Sequence, residues 1–148
     1  MEDGSKKIDI LLVEDNPGDV RLTKEALTGG KLRNNLYVVM DGEEALEFLY
    51  RRGDFKDVPQ PDLILLDLNM PKLNGHEVLA EIKKDEQLKR IPVVILTTSE
   101  DEKDVLTSYN QYASSYIVKP VSLEKFINVV ATFKDYWLEI VKFAPSSE

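Results

Sequence analysis

Apolar residues in this chain come in short blocks separated by longer stretches of helical spacing. The blocks run Ile8 to Val13, Leu36 to Met40, Leu63 to Leu66, Val93 to Leu96 and Tyr116 to Val118. Each is rich in branched aliphatic residues and too short for a core helix, so each predicts a strand buried on both faces. The intervening stretches carry helix start signals. Asn16-Pro17 offers a cap followed by proline at the first helical position. Asp41 with Glu44, and Ser99 with Glu102, have the spacing of capping boxes. Val78, Leu79 and Ile82 share one helical face, and a long apolar stretch after Ser122 predicts a final helix. Strand and helix thus alternate five times, which predicts a parallel sheet covered by helices on both sides. The segment Arg51 to Pro61 is charged and contains proline, and reads as a surface loop.

Composition narrows the function. The 148 residues suit one domain, and 43% hydrophobic content is enough for a core. The net charge of −8, with no basic patch to offset it, argues against nucleic acid as a partner. There are no cysteines, hence no disulfides and no thiolate metal site. No apolar run approaches the roughly 20 residues of a membrane span. Residues 1–7 are polar and lack the apolar part of a signal peptide. A cytoplasmic protein is expected, with one domain over residues 8–143 and flexible termini at 1–7 and 144–148.

Open α/β sheets bind ligands outside the carboxyl ends of their strands. Glu14 and Asp15 end the first predicted strand, Asp67 the third, Thr97 the fourth and Lys119 the fifth, while Asp41 ends the second. In a strand order of 2-1-3-4-5 the first four sets surround one switch point and Asp41 stands towards an edge. Three carboxylates and one lysine leave a local charge of about −2. Carboxylates so placed repel one another, and a divalent cation removes the conflict. An all-oxygen set favours Mg²⁺, Ca²⁺ or Mn²⁺ over zinc. Phosphoryl transfer needs little beyond such positioning and neutralisation. Asp67 is then the natural nucleophile, with the Thr97 hydroxyl and the Lys119 ammonium available to phosphoryl oxygens.

Taken singly these signals are weak. An acidic pair after a strand is more often a solvated helix start, a lone aspartate a cap, Lys-Pro a turn, and Thr97 an ordinary strand residue. Their force lies in falling at matching strand ends. The remaining candidates have plainer readings. His76, the only histidine, reads as a surface residue with partner contact as the alternative. Asn74-Gly75 reads as a turn with positive φ. Met70-Pro71 shapes the loop after Asp67, and Trp137 reads as packing.

The combination resembles the receiver domains of two-component response regulators. The matching text is Leu12-Val13-Glu14-Asp15-Asn16, Leu65-Leu66-Asp67-Leu68-Asn69-Met70-Pro71 with Asn74-Gly75, Val94-Ile95-Leu96-Thr97-Thr98, and Tyr116-Ile117-Val118-Lys119-Pro120, within a resemblance running from about Ile8 to Phe133. It implies a flavodoxin-like doubly wound fold of five βα units. It implies Asp67 as phosphoacceptor for a sensor histidine kinase, with Mg²⁺, for which Mn²⁺ can substitute. The implied metal ligands are Asp15, Asp67 and the backbone carbonyl of Asn69, with Glu14 acting through water. Lys119 and Thr97 become phosphoryl contacts, and Tyr116 the ring that turns when Thr97 moves. The bond before Pro120 is often cis in this family. The resemblance also implies a signalling protein that catalyses only its own phosphorylation and slow dephosphorylation. Glu14 departs from the commoner aspartate, and Val121 stands where an aromatic is frequent. The loop Arg51 to Pro61 and the long last helix resemble the single-domain cyanobacterial phytochrome-linked regulators, which implies a phytochrome as the kinase.

Three rivals are weaker. An FMN carrier on the same fold needs a hydroxyl- and glycine-rich anion loop after strand one, whereas Glu14-Asp15-Asn16-Pro17-Gly18-Asp19 would repel phosphate. A phosphatase resembling the haloacid dehalogenases carries its nucleophile early with an acid two residues on, where this chain has Asn69. A receiver-like scaffold that takes no phosphate is disfavoured by the intact residue set. Only a helix and a tail follow the fifth strand, so output through protein contact is expected, without a DNA-binding domain. On a helical wheel at about 100° per residue, Leu123, Phe126, Ile127, Val130, Phe133, Trp137 and Val141 form a stripe suited to the sheet. Val129, Tyr136, Ile140 and Phe143 form a second stripe, which predicts a homodimer through this helix.

Overall fold

Three strands at the centre of the molecule are the ones the apolar runs describe best. In the computed structural model, which describes residues 7–28, 33–68, 75–98 and 115–130, β1 (Ile8–Val13), β3 (Leu63–Asp67) and β4 (Val93–Thr97) are buried almost throughout. They are flanked by β2 (Asn34–Val39) on one edge and β5 (Ser115–Val118) on the other. The sheet is parallel, in the order β2-β1-β3-β4-β5. The two edge strands are mostly half-buried rather than buried on both faces. An edge strand has one neighbour only, so its side chains reach solvent around the rim. β2 also lies about two residues earlier than its apolar run, and Met40 stands outside it, 42% exposed.

Alternation along the central strands feeds two cores. Leu11, Val13, Ile64, Leu66, Val93 and Ile95 point to one face, under α2 (Gly42–Leu49) and α3 (Gly75–Lys84). Ile8, Ile10, Leu12, Leu63, Leu65, Val94 and Leu96 point to the other, where Leu27 of α1 (Pro17–Thr28) and Phe126 of α4 (Leu123–Val130) pack. Successive strand residues face opposite ways, so a run apolar at every position must be covered twice. The predicted helix between β4 and β5, with its Ser99 cap, lies outside the described residues.

The start signals act as read. Asn16 Oδ1 accepts the backbone N–H of Asp19 at 2.9 Å, opening α1 at Pro17. Asp41 Oδ1 accepts the N–H of Glu44 at 2.8 Å, while Glu44 Oε1 reaches back to the N–H of Met40 at 2.7 Å. Ser122 Oγ accepts the N–H of Lys125 at 3.1 Å at the start of α4. The loop after α2 is anchored: it makes a short 3-10 turn, Gly53–Phe55, and packs Phe55 against Phe48 as a tilted ring pair with centroids 5.4 Å apart. Arg51 and Gly53 take positive φ values of 56° and 57° to make this bend.

On α4 the wheel needs correction. Phe126 is buried, Val129 is half-buried against the core and Ile127 is 50% exposed. With Phe126 facing the sheet, Val129 stands about 60° from it and Ile127 about 100° away. Val129 therefore packs against the core, and Ile127, read into the sheet-facing stripe, is turned to solvent. Tyr136, Ile140 and Phe143 lie outside the described residues.

Candidate functional site

The chain leaves β1 outward to β2 and returns past it to β3, so connections diverge between β1 and β3. Crevices form at such a divergence. Parallel register stacks the strand ends there: Asp67 pairs with Leu96, Thr97 with Val118, and the N–H of Lys119 donates to the carbonyl of Thr97 at 2.7 Å. The same geometry leaves Asp41 outside the cluster as the cap of α2.

Glu14, Asp67 and Thr97 are buried, and Asp15 is half-buried. Glu14, Asp15 and Asp67 each offer a carboxylate oxygen, and these oxygens lie within 4.8 Å of one another. The Lys119 ammonium stands 2.8 Å from Glu14 Oε1, 3.0 Å from Asp19 Oδ2 and 3.5 Å from Asp67 Oδ2. The contact with Glu14 is one of charge, because the buried Oε1 accepts no hydrogen bond of good geometry. Glu14 Oε2 lies at the edge of hydrogen-bond range, 3.4 Å from the N–H of Asn16.

Burial dominates the acid–base character of Glu14. Loss of water and the nearby Asp67 carboxylate push its pKa up to about 7, against the opposing pull of Lys119. Burial of Lys119 by itself favours the neutral amine, but its carboxylate partners outweigh it and the pKa rises. Lys119 is a fixed cation at neutral pH, and the carboxylates around it outnumber it. The oxygen-only donor set and the surplus of negative charge fit a divalent cation.

Sequence reasoning brought Glu14, Asp15, Asp67, Thr97 and Lys119 together, and the fold does so. Asn69 lies outside the described residues. Tyr116 is on β5, 37% exposed and level with Ile95, on the sheet face that Thr97 shares. His76 is half-buried at the start of α3. Two contributors were missed. Asp19 was read only as part of an acidic loop, yet it accepts a hydrogen bond from Lys119, one hundred residues away in sequence. Gly75 was read as a positive-φ turn, but Gly53 is the glycine that takes positive φ among the described residues. Gly75 instead lets α3 approach the end of β3, its N–H donating to the Leu68 carbonyl at 3.1 Å. The bond between Lys119 and Pro120 is cis, and Val121 packs into the second core. Among the described residues no helix is long and apolar enough to cross a membrane.

Comparison with known proteins gives a consistent answer. The family described as response regulator receiver domain matches residues 10–131. The chain is 46% identical over 132 residues to response regulator Rcp1 of Synechocystis sp., covering 89% of this chain and 90% of that protein. The phosphorylated cyanobacterial phytochrome response regulator RcpA superposes with a TM-score of 0.76 at 45% identity, over 90% of this chain and 95% of its own. The Mn²⁺-bound form of Rcp1 superposes with a TM-score of 0.74 at 45% identity, over 94% and 99%.

Proposed function

The chain belongs to the response regulator receiver domain family, and from that premise we propose that Asp67 accepts a phosphoryl group from the phosphohistidine of a sensor histidine kinase. The observation that carries this reading is the setting of Asp67. It is 4% exposed at the divergence of the sheet, with an ammonium 3.5 Å away and two further carboxylates beside it. The likeness to a phytochrome response regulator favours a phytochrome as the kinase.

An Asp67 oxygen attacks phosphorus. The bond from phosphorus to the histidine nitrogen breaks, and its electron pair stays on the imidazole. Lys119 and Thr97 meet the phosphoryl oxygens as charge redistributes over them. Mg²⁺, or Mn²⁺ in its place, would be held by Asp15, Asp67 and the backbone carbonyl of Asn69, with Glu14 acting through water. When bound, it supplies the charge neutralisation that lets an anionic donor approach. The protein is a signalling protein whose chemistry is confined to itself: it catalyses its own phosphorylation and slow dephosphorylation. Its output is a change in protein contact at the face of β5 and α4, with a second copy of the chain joining through the last helix.

Intact mass after incubation with acetyl phosphate and Mg²⁺ tests the core of this. One phosphoryl group is expected, absent in Asp67→Asn and absent with EDTA. Labelling of Asp67→Asn at the wild-type level, or labelling indifferent to EDTA, would overturn it.

A further inference from the structure

Asp19 is the one member of the cluster that the phosphotransfer chemistry does not use. It sits in the first turn of α1, placed by the Asn16 cap. Its carboxylate accepts a hydrogen bond from Lys119 Nζ at 3.0 Å, shorter than the 3.5 Å from that nitrogen to Asp67. The Lys119 side chain is 9% exposed, that of Glu14 is fully buried, and that of Asp19 is 30% exposed.

These exposures rank the partners by how easily each is given up. Releasing Glu14 would leave a fully buried carboxyl group that water cannot reach in place of the ammonium, which is costly. Releasing Asp19 lets water take over its oxygens, and a partly exposed pair is worth little. A phosphoryl group on Asp67 adds negative charge and strong acceptor oxygens at the position Lys119 reaches least closely. The ammonium must turn towards it, and Asp19 is the partner it can leave.

We propose that Asp19 is a positioning residue that holds Lys119 in the unphosphorylated protein and surrenders it to the phosphoryl group. Asp19 therefore sets how strongly the resting state competes with the phosphorylated one. This inference rests on the assignment of Asp67 as phosphoacceptor. Removing the Asp19 charge takes a partner from Lys119 in the resting state, so the site should favour a phosphoryl mimic more strongly.

The test is beryllofluoride affinity in the presence of Mg²⁺, for wild type, Asp19→Asn, Asp19→Glu and each in a Lys119→Gln background. Asp19→Asn should bind about fivefold tighter, the scale of one partly exposed ion pair. The gain should persist in 0.5 M salt, where the influence of distant charges is screened. Asp19→Glu should return towards wild type, and Asp19→Asn should have no effect without Lys119. A gain that survives in Lys119→Gln, or no gain at all, overturns the proposal. A second measurement needs neither metal nor phosphoryl group: the Lys119 ammonium, followed by NMR of lysine-labelled metal-free protein, should exchange with water faster in Asp19→Asn than in wild type. Equal exchange overturns the proposal as well. Wild type that binds no beryllofluoride overturns the assignment of Asp67 instead, and the ammonium exchange then judges Asp19 by itself.

Discussion

Gly75 stands against the backbone of Asp67: a Cβ placed on Gly75 would fall 2.6 Å from the Asp67 carbonyl oxygen and 2.7 Å from Leu68 Cα. No side chain fits at those distances, and the obstructing atoms are backbone, which cannot turn aside. The first turn of α3 is thereby pressed onto the end of β3, and the position of Asp67 depends on a residue with no side chain. Gly75→Ala should destabilise the protein by about 1–3 kcal/mol, the usual cost of overpacking. It should also slow phosphorylation, because the strand end must shift. Urea unfolding and the rate of mass gain with acetyl phosphate check the two effects. Wild-type values for both would show that α3 can retreat without moving Asp67.

The close approach of Gly75 was not legible in the sequence, and the reason is general. A glycine signals freedom of the backbone, but not whether a positive φ or a crowding neighbour requires it. Local signals fared better. The caps at Asn16 and Asp41 act within three residues, and both form as read. Central strands were legible because burial on both faces demands apolar residues at every position. The edge strand β2 was not placed as well, because Asn34 and Asn35 pair with β1 through their backbones and carry no apolar mark. The cluster of Glu14, Asp15, Asp67, Thr97 and Lys119 was legible from strand ends alone. Asp19 was not, since its pairing with Lys119 depends on how α1 sits over the end of the sheet.

Glu14 makes the stability of the metal-free protein depend on pH. Its pKa is raised from 4.5 to about 7 on folding, chiefly by burial, so the folded chain binds this proton more tightly than the unfolded chain does. The contribution of Glu14 favours the fold fully below pH 4.5, shrinks as pH rises, and is lost above about pH 7. Glu14→Gln mimics the protonated form at every pH. Its urea midpoint, measured against wild type without metal, should improve steadily between pH 5 and 7.5. A constant difference across that range would mean that Glu14 is ionised throughout.

The last helix predicts self-association. On a helical wheel Tyr136, Ile140 and Phe143 share an apolar stripe with Val129, on the side of the helix away from the half-exposed Ile127. In water, a chain gains from covering such a stripe with a second copy. Sedimentation should find a dimer in wild type and a monomer in Tyr136→Asp/Phe143→Asp. A wild type that stays monomeric at high micromolar concentration, with and without beryllofluoride, would refute the dimer.

Thr97 and Tyr116 form the last testable pair. Thr97 is level with Val118 in the parallel register, and Tyr116 precedes Val118 by two residues, so Thr97 and Tyr116 share one face of the sheet. Thr97 is buried at the site, whereas Tyr116 is 37% exposed on the edge strand. A phosphoryl group on Asp67 presents acceptor oxygens to the Thr97 hydroxyl. Movement of Thr97 towards them opens space on the face it shares with Tyr116. The ring can then turn inward, trading exposed apolar area for contact with the sheet. Such a change reaches the surface at the groove bounded by Tyr116, Lys125 and Val129, where a partner would read it. In protein carrying fluorotyrosine at position 116, beryllofluoride should move the fluorine resonance and reduce its sensitivity to solvent. Thr97→Ala should still gain one phosphoryl group by mass but show a smaller shift at position 116. A shift of wild-type size in Thr97→Ala would separate the two residues and place the trigger for Tyr116 elsewhere.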